Sequence, residues 1–503
     1  MVFKFIRMNL IIALLILSLF NLVLNNYIAI PFKIHKDDSS IFISDTKFIS
    51  DYIINKLYFF LDVGTPYQKM IGKINSLEYE FLMKKGEFIF NEKNRYYFNR
   101  SLSYSFNLIS DKTESYFDSF DSKIVQDNIN LCINYNIQKR KCEQNQVSKM
   151  NFIFSERSTI DSTPNNDFEI NYIEIGLNAK THYGTAKYSL YKNLLENHNI
   201  NNNIWFISYF NEDNGNNNDN IGDDDGVIIF GENPLNFFKD KYNPSFVLNT
   251  NGINREYDYG DYWSIVFNEI RLKSKDGSKD ILLGNDIQGV INHNYHAIVG
   301  SEKYMESIEV NFFWKYISKN QCQKKLNGKF YYYSCNSNLI SLRVLEENFP
   351  NMYLKQINLD YVFELNATDL FAQRGNEIFF LVIFNKNNPT NSFLLGSIFL
   401  KKYMFSFDNN NKQISFYRQS TNDEKKEVIV YHWYNSAGTV IVLIILFIAI
   451  GLVGFYYGKK IYYRRKLRAN ELEEQFEYKS SSYQQNNNNN NNSKMDIEMK
   501  LGI

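Results

Sequence analysis

From about residue 47 to residue 420, short runs of β-branched and aromatic residues alternate with stretches rich in Asn, Asp and Gly. Tyr58–Val63, Gly226–Phe230, Trp263–Phe267, Ile378–Phe384 and Tyr403–Phe407 are runs of this kind. Bounded by turn formers, such runs predict strands, and their steady recurrence predicts a mostly β architecture. Helical segments are few: Tyr191–Glu196 and Glu302–Trp314 are the best candidates. No repeat with a period of about 20–50 residues is visible, which argues against solenoids and propellers. The segment 211–225 is a solvated insertion of Asn, Gly and Asp.

Two longer apolar stretches frame this region. The first follows Lys4 and Arg7 and runs from Met8 to Leu24. Early cations before an apolar run fit a secretory signal peptide, here residues 1–26, followed by a candidate short propeptide over 27–46. The second, from Ala437 to Tyr457, contains no charge. At about 1.5 Å per residue it is long enough for the roughly 30 Å hydrocarbon core of a bilayer. A stalk (421–436), a membrane helix (437–458) and a tail (459–503) with the low-complexity run Asn486–Asn492 are the expected carboxyl-terminal parts. Lys459, Lys460, Arg464, Arg465, Lys466 and Arg468 follow the apolar stretch, so the positive-inside rule puts the tail in the cytosol. The expected protein is a single-pass type I membrane protein of the secretory or endolysosomal pathway or the cell surface, its main domain luminal or extracellular.

Composition narrows the field. Lys+Arg 55 against Asp+Glu 55 gives no net charge, which argues against a nucleic-acid partner. With 7 Pro and 4 Cys, a Pro-rich or disulfide-dense scaffold is excluded. All four cysteines fall in the segment expected to be luminal. Their spacing as two local pairs favours Cys132–Cys142 and Cys322–Cys335 among three connectivities. The sequons at Asn99 and Asn366 lie in the same region and are candidate glycosylation sites.

The stretch Leu57–Val63 followed by Gly64-Thr65-Pro66-Tyr67-Gln68 resembles the opening of pepsin-like aspartic peptidases, where a strand runs into Gly-Thr-Pro-x-Gln. Further landmarks follow in order: Ser115–Ser119 with Ile124–Leu131, similar to the flap and the strand after it; Tyr172–Leu177; Gly226–Gly231 with Tyr262–Phe267; Cys335 with Phe349–Leu354; and Phe393–Asp408. The resemblance covers roughly residues 47–420. It implies a bilobal, mostly β fold, with lobes over 47–240 and 241–420. Each lobe would give one Asp-Thr/Ser-Gly loop to a central cleft, under a flap carrying Tyr116. It also implies a peptide ligand and chemistry that needs neither metal nor cofactor.

The expected catalytic residues are absent. Counting from Gly64-Thr65-Pro66 leads to Ile74-Asn75-Ser76-Leu77-Glu78, and Ala297-Ile298-Val299 leads to Gly300-Ser301-Glu302. Asn75 and Gly300 are thereby aligned with the family's two aspartates, with Ser76 and Ser301 beside them. An amide cannot take up the water's proton, and glycine has no side chain. Asp-Thr-Gly and Asp-Ser-Gly occur nowhere in the chain. Glu78 and Glu302 stand two to three positions away, too far for a geometry that tolerates about half an ångström. Phe117 and Phe120 beside Tyr116 are expected to stiffen or plug the cleft mouth. His293 and His296 have no further ligand cluster in sequence and are read as structural rather than metal-binding.

The expectation is thus a pseudoprotease, catalytically inactive, that binds a peptide or protein partner. The alternatives are an active aspartic endopeptidase with displaced carboxylates and a structural or assembly subunit of a membrane complex.

Overall fold

The computed structural model describes residues 27–34, 57–76, 81–87, 98–110, 122–158, 169–178, 188–210, 224–238, 241–242, 250–251, 253–254, 262–275, 277–356, 361–386, 391–419, 451 and 454–480. The chain divides into two units, Met1–Gln419 and Ser420–Ile503. The first is mostly β, as the pattern of short apolar runs predicts; it is two-lobed and built on two sheets.

The first sheet has 13 strands in the order Thr250–Asn251, Gln413–Tyr417, Met404–Asp408, Ile204–Tyr209, Gly226–Phe230, Ile28–Ile34, Leu57–Val63, Gln68–Asn75, Glu169–Gly176, Phe81–Glu87, Lys141–Ser158, Ser122–Asn136 and Asn107–Ser110. The long strand Ser122–Asn136 also pairs with Ile28–Ile34 and Leu57–Val63, which curls that half of the sheet back on itself. The second sheet has 12 strands. At its centre are Tyr262–Lys273, Asp280–Ile291, Ser392–Leu395, Ile298–Ser301 and Val382–Asn385.

Two placements differ from simple sequence order. Ile28–Ile34, within the candidate propeptide, is an interior strand of the first sheet. It lies between Gly226–Phe230 and Leu57–Val63, with Ile28, Ile30 and Phe32 buried. Burying such side chains stabilises by about 1.5–3 kcal/mol each. The carboxylate of Asp225 accepts from the backbone N–H of Ile34 at 2.7 Å and so holds the strand's end. The second difference concerns Met404–Asp408 and Gln413–Tyr417, which fall within the range expected for the second lobe. They join the first sheet instead, beside Ile204–Tyr209. Phe407 stacks on Trp205 with ring centroids 4.1 Å apart, an aromatic burial that local periodicity does not reveal.

The two predicted helical segments are present. Ser189 caps Leu190–Glu196, its side chain accepting from the N–H of Lys192. Residues 302–317 form successive helical turns with a π-helical turn at Glu309–Phe313. Both disulfides form. Cys132–Cys142 joins the adjacent strands Ser122–Asn136 and Lys141–Ser158, and Cys322–Cys335 joins directly opposed residues of a hairpin.

In the second unit, residues 454–480 are helical, and 455–480 are exposed. Among the described residues no helix is long and apolar enough to cross a membrane. The apolar segment expected to do so lies mostly outside them, as do the signal peptide, the stalk and the Asn run.

Candidate functional site

The same local construction occurs once in each lobe. In the first, Gln68–Asn75 pairs parallel with Glu169–Gly176, bringing Asn75 opposite Gly176. In the second, Asp280–Ile291 pairs parallel with Ser392–Leu395, bringing Ile291 opposite Leu395. Each incoming strand is half of an antiparallel hairpin, with Leu57–Val63 and Tyr262–Lys273 respectively. Glycine permits the packing in both cases. A Cβ on Gly72 would lie 2.2 Å from the Phe59 ring, and one on Gly289 would lie 2.5 Å from the Phe267 ring. The incoming strands end in the turns Asn75-Ser76 and Asn292-His293-Asn294.

These two turns meet. The backbone N–H of His293 donates to Ser76 Oγ at 2.9 Å. The side-chain amide of Asn294 donates to Asn75 Oδ1 at 3.1 Å. A third bridge lies nearby: the indole N–H of Trp263 donates to the Leu177 carbonyl at 2.9 Å, while Leu177 N–H bonds back to Asn75. Ser76, Asn292 and His293 are all buried.

The second turn is held tightly from below. A Cβ on Gly396 would fall 2.2 Å from the Ala297 carbonyl, so only glycine lets the turn lie against the following strand. The amides of Ser397 and Ile398 donate to the carbonyls of Tyr295 and His296. His293 packs edge-on against Trp205 and Phe407, with its Nδ1 3.2 Å from the Tyr209 hydroxyl. Burial pushes its imidazole down to about 3. His296 pairs with Ser397 Oγ at 2.7 Å; burial, with Lys401 adding to it, brings its imidazole down to about 4. Both histidines are therefore neutral near pH 7. Among the described residues no group of three His, Cys, Asp or Glu side chains could hold a metal ion.

One carboxylate stands next to the junction. Glu174, buried in the strand Glu169–Gly176, accepts a short hydrogen bond from the Asn75 side-chain amide. Its other oxygen is 3.4 Å from Lys73 Nζ, and Lys73 lies over the Tyr172 ring. The amide of Asn75 is thus oriented from both ends, its nitrogen toward Glu174 and its oxygen toward Asn294.

Asn75 and Ser76 stand where the sequence count put them, but Gly300 does not meet them. It lies in Ile298–Ser301, which runs parallel to Val382–Asn385 and antiparallel to Ser392–Leu395. That is the counterpart of Phe81–Glu87, which runs parallel to Lys141–Ser158 and antiparallel to Glu169–Gly176. Gly300 and Ser301 therefore belong to the strand that leaves the second turn, and a Cβ on Gly300 would lie 2.4 Å from the Phe393 ring. The residue corresponding to Asn75 is Asn292. The sequence offers two similar apolar lead-ins, Gly289-Val290-Ile291 and Ala297-Ile298-Val299, and it is the first that runs into the turn. Glu302 opens the one-turn helix Glu302–Tyr304 beyond that strand. Glu78, Tyr116, Phe117 and Phe120 lie outside the described residues.

Elsewhere, Asn99 is exposed and its Oδ1 accepts from both the N–H and the hydroxyl of Ser101. Asn366 is exposed at the N-cap of the turn Ala367–Leu370. No protein-family model matches the chain, and no curated protein matches it.

Proposed function

We propose that the chain is a membrane-anchored relative of the pepsin-like aspartic peptidases that binds a peptide or protein partner without cutting it. The observation carrying this reading is that the two symmetric turns meeting between the lobes present Asn75 and Asn292, two amides, where the aspartic mechanism needs two acids. In that mechanism a pair of carboxylates shares one proton, so that one member activates water and the other protonates the leaving amine. Neither amide can take up or release a proton at any pH of interest. A single acid/base group is typically worth about 10²–10⁴ in rate, and groups acting as a unit lose most of their effect when one is removed. The ordered landmarks of the sequence and the repeated strand-turn construction support the family reading.

Glu174 is the feature that favours the rival reading, an endopeptidase with a displaced carboxylate. It is already engaged by Lys73 and Asn75, and the mechanism requires a second, proton-sharing acid. A cleavage assay separates the two. The full chain, incubated with unfolded casein between about pH 3 and 6, is expected to yield no fragments. Cleavage that a statine-type inhibitor blocks, and that Glu174→Gln abolishes, would establish the endopeptidase instead. Extraction with alkaline carbonate tests the membrane anchor separately: the chain is expected to stay with the bilayer.

A further inference from the structure

Asn292 differs from Asn75 in what its amide has left to offer. Its Oδ1 accepts from the backbone N–H of Asn294 at 2.9 Å. That bond fixes the orientation of the amide, because a flip would set a donor against a donor. The nitrogen is consequently turned away from the backbone bond. It is buried, and among the described residues it has no hydrogen-bond partner, in a residue with no solvent exposure. Leaving a buried donor unmatched is costly, so a folded chain that keeps one has either a structural or a binding reason for it. The site argues for binding. The donor sits in the turn that meets the first lobe, next to the Ser76–His293 bridge, with Asn75 committed to Glu174 and Asn294.

We infer that Asn292 Nδ2 is the donor that holds a main-chain carbonyl of an extended peptide, and that this bond makes the site selective for acceptors. The inference rests on the peptide-binding reading above and gives it a chemical sign. A pair of carboxylates takes hydrogen bonds from ligand hydroxyls and attracts protonated amines. At the second turn an amide nitrogen does the reverse: it offers a hydrogen and carries no charge. An intact peptide bond presents such an acceptor, and the neutral amide beside it has no means of activating water against that carbonyl. Enclosure away from water strengthens the bond; because Asn292 has no solvent exposure, the ligand reaches it only as the residues packed around it shift.

The test uses the full chain in detergent micelles and, as probe, the pool of short peptides from trypsin-digested casein, with retention read by mass spectrometry. Wild type, Asn292→Asp and Asn292→Leu are compared at about pH 7 and pH 5, with thermal unfolding as a control of folding. At pH 7 the ionised Asp offers only acceptors, and retention is expected to fall at least tenfold. At pH 5 a buried Asp is protonated, because burial disfavours its charge, and retention is expected to recover in part. Asn292→Leu is expected to bind weakly at both values. Equal retention by all three proteins overturns the donor assignment while leaving the peptide-binding reading standing. Absence of retained peptides in the wild type overturns both.

Discussion

The backbone N–H of His293 reaches the hydroxyl of Ser76 across 217 residues of sequence and joins the two turns at 2.9 Å. Both partners are buried, so neither has water to fall back on. Ser76→Ala leaves the His293 N–H without its acceptor and is expected to cost about 1–3 kcal/mol. Urea unfolding should show a lower midpoint with an unchanged slope. Ser76→Thr keeps the hydroxyl and should restore most of the loss. An unchanged midpoint in the alanine variant would mean that the bridge contributes nothing to holding the lobes.

His293 also sets a pH dependence. Its imidazole ionises near 6.5 when unfolded and near 3 when folded, so the unfolded chain binds the proton first. Stability from this group is level above about pH 6.5, declines as pH falls toward 3, and is level again below that. By about pH 4 the loss is roughly 3 kcal/mol. His296, lowered for the same reason, acts in the same direction over a shorter range. Urea midpoints at a series of pH values should fall more steeply for wild type than for His293→Gln. Parallel curves would contradict the assignment of acid sensitivity to His293.

Asn75→Asp should not simply rebuild an acid. The new carboxylate would face Glu174 at hydrogen-bond range, where two like charges raise one affinity for protons. The variant is expected to be destabilised at pH 7 and to recover as the pH falls below about 5, when one proton is shared. Asn75→Asp combined with Glu174→Gln should relieve most of the penalty at pH 7. If the single variant is as stable as wild type at pH 7, the two side chains are not in the contact described.

The amino-terminal strand offers a fourth test. Asp225 holds the end of Ile28–Ile34 through the N–H of Ile34, and its own N–H donates to the Phe32 carbonyl. Asp225→Ala is expected to loosen that end. Hydrogen exchange should rise over residues 32–34 and stay low over the second lobe. Exchange that rises equally in both lobes would show instead that the strand is not a separable element.

Much of this arrangement can be read from the chain. Gly64-Thr65-Pro66 forms the turn of the hairpin between Leu57–Val63 and Gln68–Asn75, and the resemblance that starts there gives the count to Asn75. The local cysteine pairs give the disulfides, since short hairpins leave few other partners. The second turn was not legible, because Val290-Ile291 and Ile298-Val299 are equally apolar and only the parallel pairing with Ser392–Leu395 tells which one enters. Glu174 carries a visible signal in the sequence, an acid among Tyr172, Ile173 and Ile175. The return of Met404–Asp408 to the first sheet depends on Phe407 finding Trp205, about two hundred residues earlier in the chain, and no local pattern contains that information.

That return also has a consequence for how the protein is made. Ile28–Ile34 is made some two hundred residues before its sheet neighbour Gly226–Phe230. The same sheet is completed only by Met404–Asp408 and Gln413–Tyr417. Pairings this distant make folding slow and leave unpaired strand edges open to association meanwhile. Leu57–Val63 can cover one edge of this strand early, but the edge that Gly226–Phe230 takes stays open until that later strand has been made.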